Sequence, residues 1–241
     1  MIRSVYLHLT ILAVGLLLSA TASAQTVTSM GQAWFRYYNQ AKLNPKTFFH
    51  TEIDERINFE APHQSQFFIH LHLHYRMKPW LDVAAGQNFN LTDSPVNPEL
   101  EVPEIRPWQE ISLIAPSENR WSMQARYRLD QRFIHNNNRI ELEEGFHFNL
   151  RHRVRLQAAR TLIGSQDDVK LGLRLSNELM LNTGDVPRAL DQNRIYCALE
   201  VKLSDRWSLE SGYLNILQPV NDDNYLIRNV IRTTLFHRIS L

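Results

Sequence analysis

The sequence predicts an all-β protein, an antiparallel up-and-down transmembrane β-barrel of about ten to twelve strands after a cleaved signal peptide. The first observation is the strict alternation from Gln66 to Met77, and alternation is the pattern of a strand with two different faces. One face is apolar: Phe67, Ile69, Leu71, Leu73, Tyr75 and Met77. The other face is largely polar: Gln66, Phe68, His70, His72, His74 and Arg76.

Two further observations support a membrane barrel. A strand of about twelve residues with one apolar face suits a tilted bilayer crossing, and the same alternation recurs along the chain. Short turns near Asn44, Lys78, Ser117, Gly164 and Ser204 also alternate with longer connections. Tight turns on one side and longer loops on the other are typical of outer-membrane barrels.

The N-terminal segment has the features of a secretory signal peptide. Arg3 provides positive charge, Leu9–Leu18 an apolar stretch, and Ala22-Ser23-Ala24 a small-residue cleavage site. Residues 1–24 are therefore predicted to be removed, and residues 25–241 to form a single barrel domain exported to the outer membrane. The only cysteine, Cys197, cannot form an internal disulfide.

Composition excludes several classes of protein. The net charge of +1 gives no basic excess for nucleic-acid binding. After the signal peptide no apolar run reaches the length of a transmembrane helix. Glycine-rich phosphate loops and paired cysteines are absent, so no cofactor is predicted. The expected partners are outer-membrane lipid, the barrel-assembly machinery and a small anionic solute.

The strands are predicted in chain order, separated by turns. Trp34, Tyr37 and Tyr38 in the first are interpreted as membrane-interface anchors. The predicted strands span residues 32–43, 48–59, 66–77, 81–91, 105–114, 121–133, 149–162, 168–181, 194–203, 207–218 and 225–241. Longer loops are predicted at Thr92–Glu104, Ile134–Phe148 and Asn182–Gln192. Because single-chain bacterial barrels use even strand numbers, twelve strands are favoured over ten, with the extra one from Gln25–Ala33.

Four segments carry a resemblance to a known family. They are EIRPWQE at Glu104–Glu110, RYRLDQRF at Arg126–Phe133, DQNRIY at Asp191–Tyr196 and LSDRWSLESGY at Leu203–Tyr213. The sequence resembles domain-of-unknown-function family 2490, exported proteins of Gram-negative bacteria. The resemblance implies an outer-membrane-like β-barrel without an assigned activity, and it supplies no catalytic residues.

Arginines dominate the polar faces of the predicted strands. The candidate lumenal and anion-binding residues are Arg106, Arg126, Arg128, Arg132, Arg151, Arg153, Arg155 and Arg194. The candidate lumenal acids are Glu52, Asp54, Glu110, Asp130 and Glu178. We expect a structural or narrow-channel barrel in which these groups form a lattice of salt bridges. The arginine excess also allows an anion-selective pore.

Histidines form the second cluster of interest. Same-face neighbours on a strand lie about 6.8 Å apart, so His70, His72 and His74 are a candidate metal-binding set that His50 can join. The simpler interpretation is that these histidines line the lumen and hydrogen-bond to Glu52 or Asp54 without a metal.

Two alternative functions remain open. An outer-membrane hydrolase would have its active site at the rim, with candidates in or near the predicted loops: His135, His147, Asp185, Asp191, Asp222 and Asp223. These residues form no recognisable catalytic motif, so catalysis is not predicted. The other alternative is a soluble periplasmic β-barrel that binds a small anionic or apolar ligand.

Overall fold

Eleven β-strands, counted over the described residues, close into one barrel in the computed structural model. The structure describes residues 26–60, 64–94, 96–116, 119–165, 168–221 and 223–241. The predicted signal peptide, residues 1–24, lies outside the described residues. Within them, no helix has the length and apolar character to cross a bilayer. The predicted all-β barrel is confirmed.

The strands follow one another around the barrel in chain order. They are β1 Thr26–Lys42, β2 Thr47–Asn58, β3 Gln64–Lys78, β4 Leu81–Asp93, β5 Glu101–Ile114, β6 Trp121–Asn137, β7 Leu142–Gly164, β8 Val169–Gly184, β9 Leu190–Lys202, β10 Trp207–Pro219 and β11 Asn224–Ser240. Each strand is antiparallel to the next. Closure leaves no open sheet edge, which would otherwise expose unpaired backbone groups.

The barrel closes through a parallel pair, and this corrects the expected even strand number. β1 runs parallel to β11, from Thr26 opposite Asn224 to Lys42 opposite Ser240. Of the segment predicted to supply a twelfth strand, residues 26–33 form the first half of β1: the backbone continues without a turn, and these residues pair with residues 224–231 of β11. The odd strand number places the start of β1 and the end of β11 at opposite rims.

We call the end of the barrel that carries Trp80, Trp121 and Trp207 the tryptophan rim, and the opposite end the hairpin rim. The tryptophan rim carries connections 43–46, 79–80, 115–120, 165–168 and 203–206, and the hairpin rim carries 59–63, 94–100, 138–141, 185–189 and 220–223. Connections range from two residues (79–80) to six (115–120) at the first rim, and from four (138–141) to seven (94–100) at the second. The predicted contrast between short turns and long loops is therefore wrong.

The segments interpreted as long loops are mostly strand. In place of a loop over Ile134–Phe148, β6 and β7 pair from Phe133 opposite Phe148 to Asn137 opposite Leu142. The loops predicted at Thr92–Glu104 and Asn182–Gln192 shrink to residues 94–100 and 185–189. These strand ends mix polar and apolar residues without the regular alternation of the central segments. The missing alternation therefore predicts loops in segments that the structure shows to be mostly strand.

Alternation orders the side chains as predicted. In β2, His50, Glu52 and Asp54 are buried, whereas Phe49 and Ile53 are exposed on the outer surface. One prediction in β1 is wrong, because Trp34 is buried and lines the interior together with Tyr38. Both share the face of Arg36, so they cannot anchor the outer surface.

Candidate functional site

The barrel encloses a cavity of about 920 Å³. Its lining extends from Phe48 and Arg76 near the tryptophan rim to Asn58, Ser94 and Arg139 near the hairpin rim. Fifteen arginines and eight acidic residues line it. With Asp54 and Asp130, which are buried behind the lining, the acids number ten. The interior therefore holds more arginines than carboxylates.

The structure places all eight predicted arginines in this lining: Arg106, Arg126, Arg128, Arg132, Arg151, Arg153, Arg155 and Arg194. It also places the five predicted acids on the inner face: Glu52, Asp54, Glu110, Asp130 and Glu178. Seven of the arginines lie on β5, β6 and β7, and all of these except Arg155 have a carboxylate oxygen within 4.0 Å.

Glu104 forms the best-matched pairs of this lattice. Its carboxylate accepts hydrogen bonds from Arg106 Nε and Nη2 at 2.9 and 2.8 Å. It also accepts from Arg132 Nε and Nη2 at 2.6 and 3.1 Å. Two-pronged contacts of this kind are the strongest that arginine makes with a carboxylate.

Glu110 and Glu178 extend the lattice around the barrel. Glu110 accepts hydrogen bonds from Arg128 at 2.7 and 2.8 Å, and Arg126 lies 3.5 Å away. Arg126 also donates to Glu178, whose two carboxylate oxygens accept from Arg153 at 3.0 Å. Arg126 thus links carboxylates that come from β5 and β8.

On β1, β2 and β3, aromatic rings hold one further arginine of the lattice in place. Asp54 accepts from Arg36 at 2.9 Å and from Arg56 at 3.0 Å. The guanidinium of Arg56 lies 3.6 Å from the ring centre of Trp34 and 4.0 Å from that of Phe68. Stacking between two rings holds this cation in place without a second carboxylate.

Sequence reasoning missed some members of the lattice. Arg36 was detectable, since it shares the face of Trp34. Glu104 was assigned to a loop. Asp191 pairs with Arg151 at 3.0 Å, although strict alternation would turn it outward. The register between β8 and β9 shifts between Met180 and Leu181 and leaves Asp191 without a pairing partner on β8, as in a β-bulge. A bulge changes the face to which a side chain points, and the alternation of the sequence does not predict it.

Inside the barrel, four arginines lack a carboxylate oxygen within 4.0 Å in the part of the chain that the structure describes: Arg155, Arg194, Arg228 and Arg232; the lining residue Arg139, exposed at the hairpin rim, lacks one as well. The Nε groups of Arg155 and Arg232 are buried and have no hydrogen-bond partner among described groups. Arg194 donates to Gln192 at 2.8 Å, and Arg232 lies 4.7 Å from the ring centre of Tyr196. These four cations are available to an anionic ligand.

The histidine cluster differs by one member from the predicted set. One ring nitrogen from each of His50, His72 and His74 lies within 4.8 Å of the others, whereas His70 is not in the group. His50 lies directly opposite His72 in the β2–β3 register, and this cross-strand pairing brings its ring within 4.9 Å of the ring of His72, centre to centre.

The residues considered for a rim hydrolase are scattered. Asp191 is held by Arg151, and His135 Nδ1 lies 3.1 Å from the carbonyl oxygen of Asn136. Within the described ranges neither His135 nor His147 is hydrogen-bonded to a serine or a carboxylate. Asp185 and Asp223 are exposed in connections at the hairpin rim, and Asp222 lies outside the described residues.

Comparison with known proteins gives one match. A family model described as "Protein of unknown function (DUF2490)" matches residues 31–226. No curated protein and no solved structure matches the chain.

Proposed function

Since the chain belongs to DUF2490, a family of proteins of unknown function, we propose that it is an outer-membrane β-barrel and that its lumen forms a narrow anion-selective channel. The observation that carries the proposal is the cavity of about 920 Å³ with arginines that lack carboxylate partners. The proposal includes no catalytic step.

The apolar outer surface supports a membrane location. Large apolar side chains are exposed around the whole barrel, among them Phe35, Leu73, Ile111, Val154, Leu156, Leu199 and Ile231. Leu156 is 52% exposed and Leu73 47%. A soluble monomer rarely exposes an apolar surface that continues around the molecule, whereas a barrel in lipid requires one.

Aromatic side chains at the two ends support the same location. Trp80, Trp121 and Trp207 all lie at the tryptophan rim, where β4, β6 and β10 begin. Phe59, Phe133, Phe146 and Phe148 are exposed near the hairpin rim. Two aromatic girdles that flank an apolar band are typical of barrels in the outer membrane.

Polar side chains on the outer surface bond to one another. Tyr213 donates to Asn229 at 2.5 Å, and Asn229 donates to Ser29 at 2.8 Å. Gln131 likewise donates to Gln109 at 3.2 Å. In hydrocarbon a polar group without a partner costs several kcal/mol, so these pairs suit a surface that faces lipid.

The charge of the lumen supports anion selectivity. Basic side chains that line a pore lower the energy of an anion in it and raise that of a cation. The salt-bridged arginines keep the carboxylates neutralised, and Arg155, Arg194, Arg228 and Arg232 supply the remaining positive charge. The lining of the cavity includes residues near both rims.

Conductance across a planar bilayer tests the channel. In a salt gradient we expect the reversal potential to move toward the equilibrium potential of chloride. Arg155→Gln should reduce this shift. Arg160→Gln is the matched control, since Arg160 lies on the same strand but packs 5.4 Å from the ring centre of Trp121. No current above background, or a cation preference, contradicts the channel.

Cell fractionation tests the location separately. Recovery with outer membranes supports the proposal. Recovery in the soluble periplasm contradicts it and favours the soluble ligand-binding barrel.

A further inference from the structure

We propose that His50, His72 and His74 bind one divalent transition-metal ion of the zinc class inside the barrel near the tryptophan rim. His50 lies on β2 and the other two on β3. The ring centres of His50 and His74 are 4.3 Å apart in a stacked arrangement, and those of His50 and His72 are 4.9 Å apart. The three rings therefore surround a small shared volume.

Hydrogen bonds to carboxylates determine which nitrogens of two rings carry protons. His72 Nε2 lies 3.0 Å from Glu52 Oε1, and His74 Nδ1 lies 2.7 Å from Asp82 Oδ1. Glu52 also pairs with Arg36 at 3.1 Å, which favours its ionised form. Because an ionised carboxylate only accepts hydrogen bonds, these two nitrogens must be the N–H donors.

The remaining nitrogens of the two rings then face each other as acceptors. In a neutral imidazole the nitrogen opposite the N–H has a lone pair. His72 Nδ1 and His74 Nε2 are 2.9 Å apart, so their lone pairs oppose each other across a hydrogen-bond distance. This contact is favourable only when one ring gains a second proton or when a cation binds to both.

His50 favours the metal over the extra proton. Its Nδ1 lies 2.5 Å from the hydroxyl of Tyr38, while its Nε2 is buried without a hydrogen-bond partner among described groups. An added proton between His72 and His74 would leave His50 Nε2 without a partner. A metal ion can instead bind one nitrogen from each of the three rings.

The arrangement fits zinc chemistry. Zn–N bonds of about 2.0–2.1 Å place two tetrahedral ligands about 3.4 Å apart. His72 Nδ1 and His74 Nε2 lie 2.9 Å apart, and one ring nitrogen from each of the three histidines lies within 4.8 Å of the others, so rotation of the rings can bring three nitrogens to this spacing. Three histidines with an open fourth position form a known zinc ligand set. Histidine ligands also commonly donate their other N–H to a carboxylate, as His72 and His74 do here.

Metal titration of the detergent-solubilised chain, stripped with chelator and free of a polyhistidine tag, tests the site. We expect one Zn²⁺ per barrel by calorimetry. Co²⁺, which accepts the same ligands, should give the visible absorption of a tetrahedral imidazole site. No Zn²⁺ binding by the wild-type barrel would contradict the proposal and leave an imidazolium between His72 and His74.

Substitutions assign the ligands. His50→Gln, His72→Gln and His74→Gln should each weaken Zn²⁺ binding by more than about 100-fold, and Asp82→Asn by about 10- to 100-fold. His70→Gln is the matched control, because His70 lies on the same strand and also lines the cavity. Equal loss in His70→Gln, or no loss in the other three, contradicts the site. The outcome does not depend on whether the barrel conducts.

Discussion

The indole of Trp108 lies against the backbone of Gly86 on the neighbouring strand. A methyl group added at Gly86 would come within 2.7 Å of Trp108 Cζ2 and 2.5 Å of His72 Cβ. The absence of a side chain at Gly86 therefore leaves the space in which the indole of Trp108 packs. The guanidinium of Arg128 lies 3.8 Å from the centre of the Trp108 ring. Trp108 is 1% exposed, so it cannot move toward water without breaking this stack.

Gly86→Ala should therefore destabilise the barrel by about 1–3 kcal/mol, the usual cost of overpacking. Chemical unfolding of the detergent-solubilised protein, followed by circular dichroism, measures the change. Gly172→Ala is the control, because its methyl group would lie 3.2 Å from the side chain of Val169 and no nearer than 3.8 Å to the backbone, at the carbonyl oxygen of Arg160. Equal midpoints for the two variants would contradict the proposed packing.

Glu178→Gln should destabilise the barrel by about 3–5 kcal/mol, since removal of one partner leaves buried charge uncompensated. Arg126 and Arg153 both depend on this carboxylate. Asp168→Asn is the control: its partner, Lys202, lies 2.8 Å away in an exposed pair, so only a small change is expected. The same unfolding measurement compares them, and an equally small effect at Glu178 would contradict a lattice that stabilises the fold.

The alternation of the sequence was sufficient to predict most of the charged side chains that enter the lumen. Arg126, Arg128 and Glu110 needed only the period of two, because a strand places alternate residues on opposite faces. The parallel closure of β1 on β11 could not be predicted, since strand number depends on pairing between the chain's two ends.

The contacts between side chains of neighbouring strands also could not be predicted from the sequence. The histidine cluster contains His50 in place of His70, because the register of β2 and β3 places His50 opposite His72. Asp191 turned inward through a bulge that leaves no mark in the alternation. Sequence reveals the face of a residue, while its partners depend on the neighbouring strand.

The β6–β7 hairpin tip should loosen in Ser94→Ala. The hydroxyl of Ser94 donates to the carbonyl oxygen of Arg139 at 2.6 Å and holds the tip beside the mouth of the cavity. Loss of about 1 kcal/mol, one hydrogen bond, corresponds to about fivefold faster amide exchange in the tip. Hydrogen exchange with mass spectrometry measures the rate. Ser165→Ala, in a turn at the opposite rim, should leave the tip unchanged, and an equal effect there would rule out this brace.

Leu156→Arg and Gln157→Arg separate a lipid-facing barrel from a soluble one. The two residues are adjacent on β7, but Leu156 is exposed on the outer surface whereas Gln157 lines the cavity. Arginine on the lipid face costs up to about 2–4 kcal/mol at the bilayer midplane, so Leu156→Arg should fold poorly into lipid vesicles. Gln157→Arg should fold and add positive charge to the lumen. Folding is measured by the mobility of unheated samples in gel electrophoresis. A soluble barrel predicts the opposite order, because an outer arginine would then contact water and the inner one would join an already crowded set of cations.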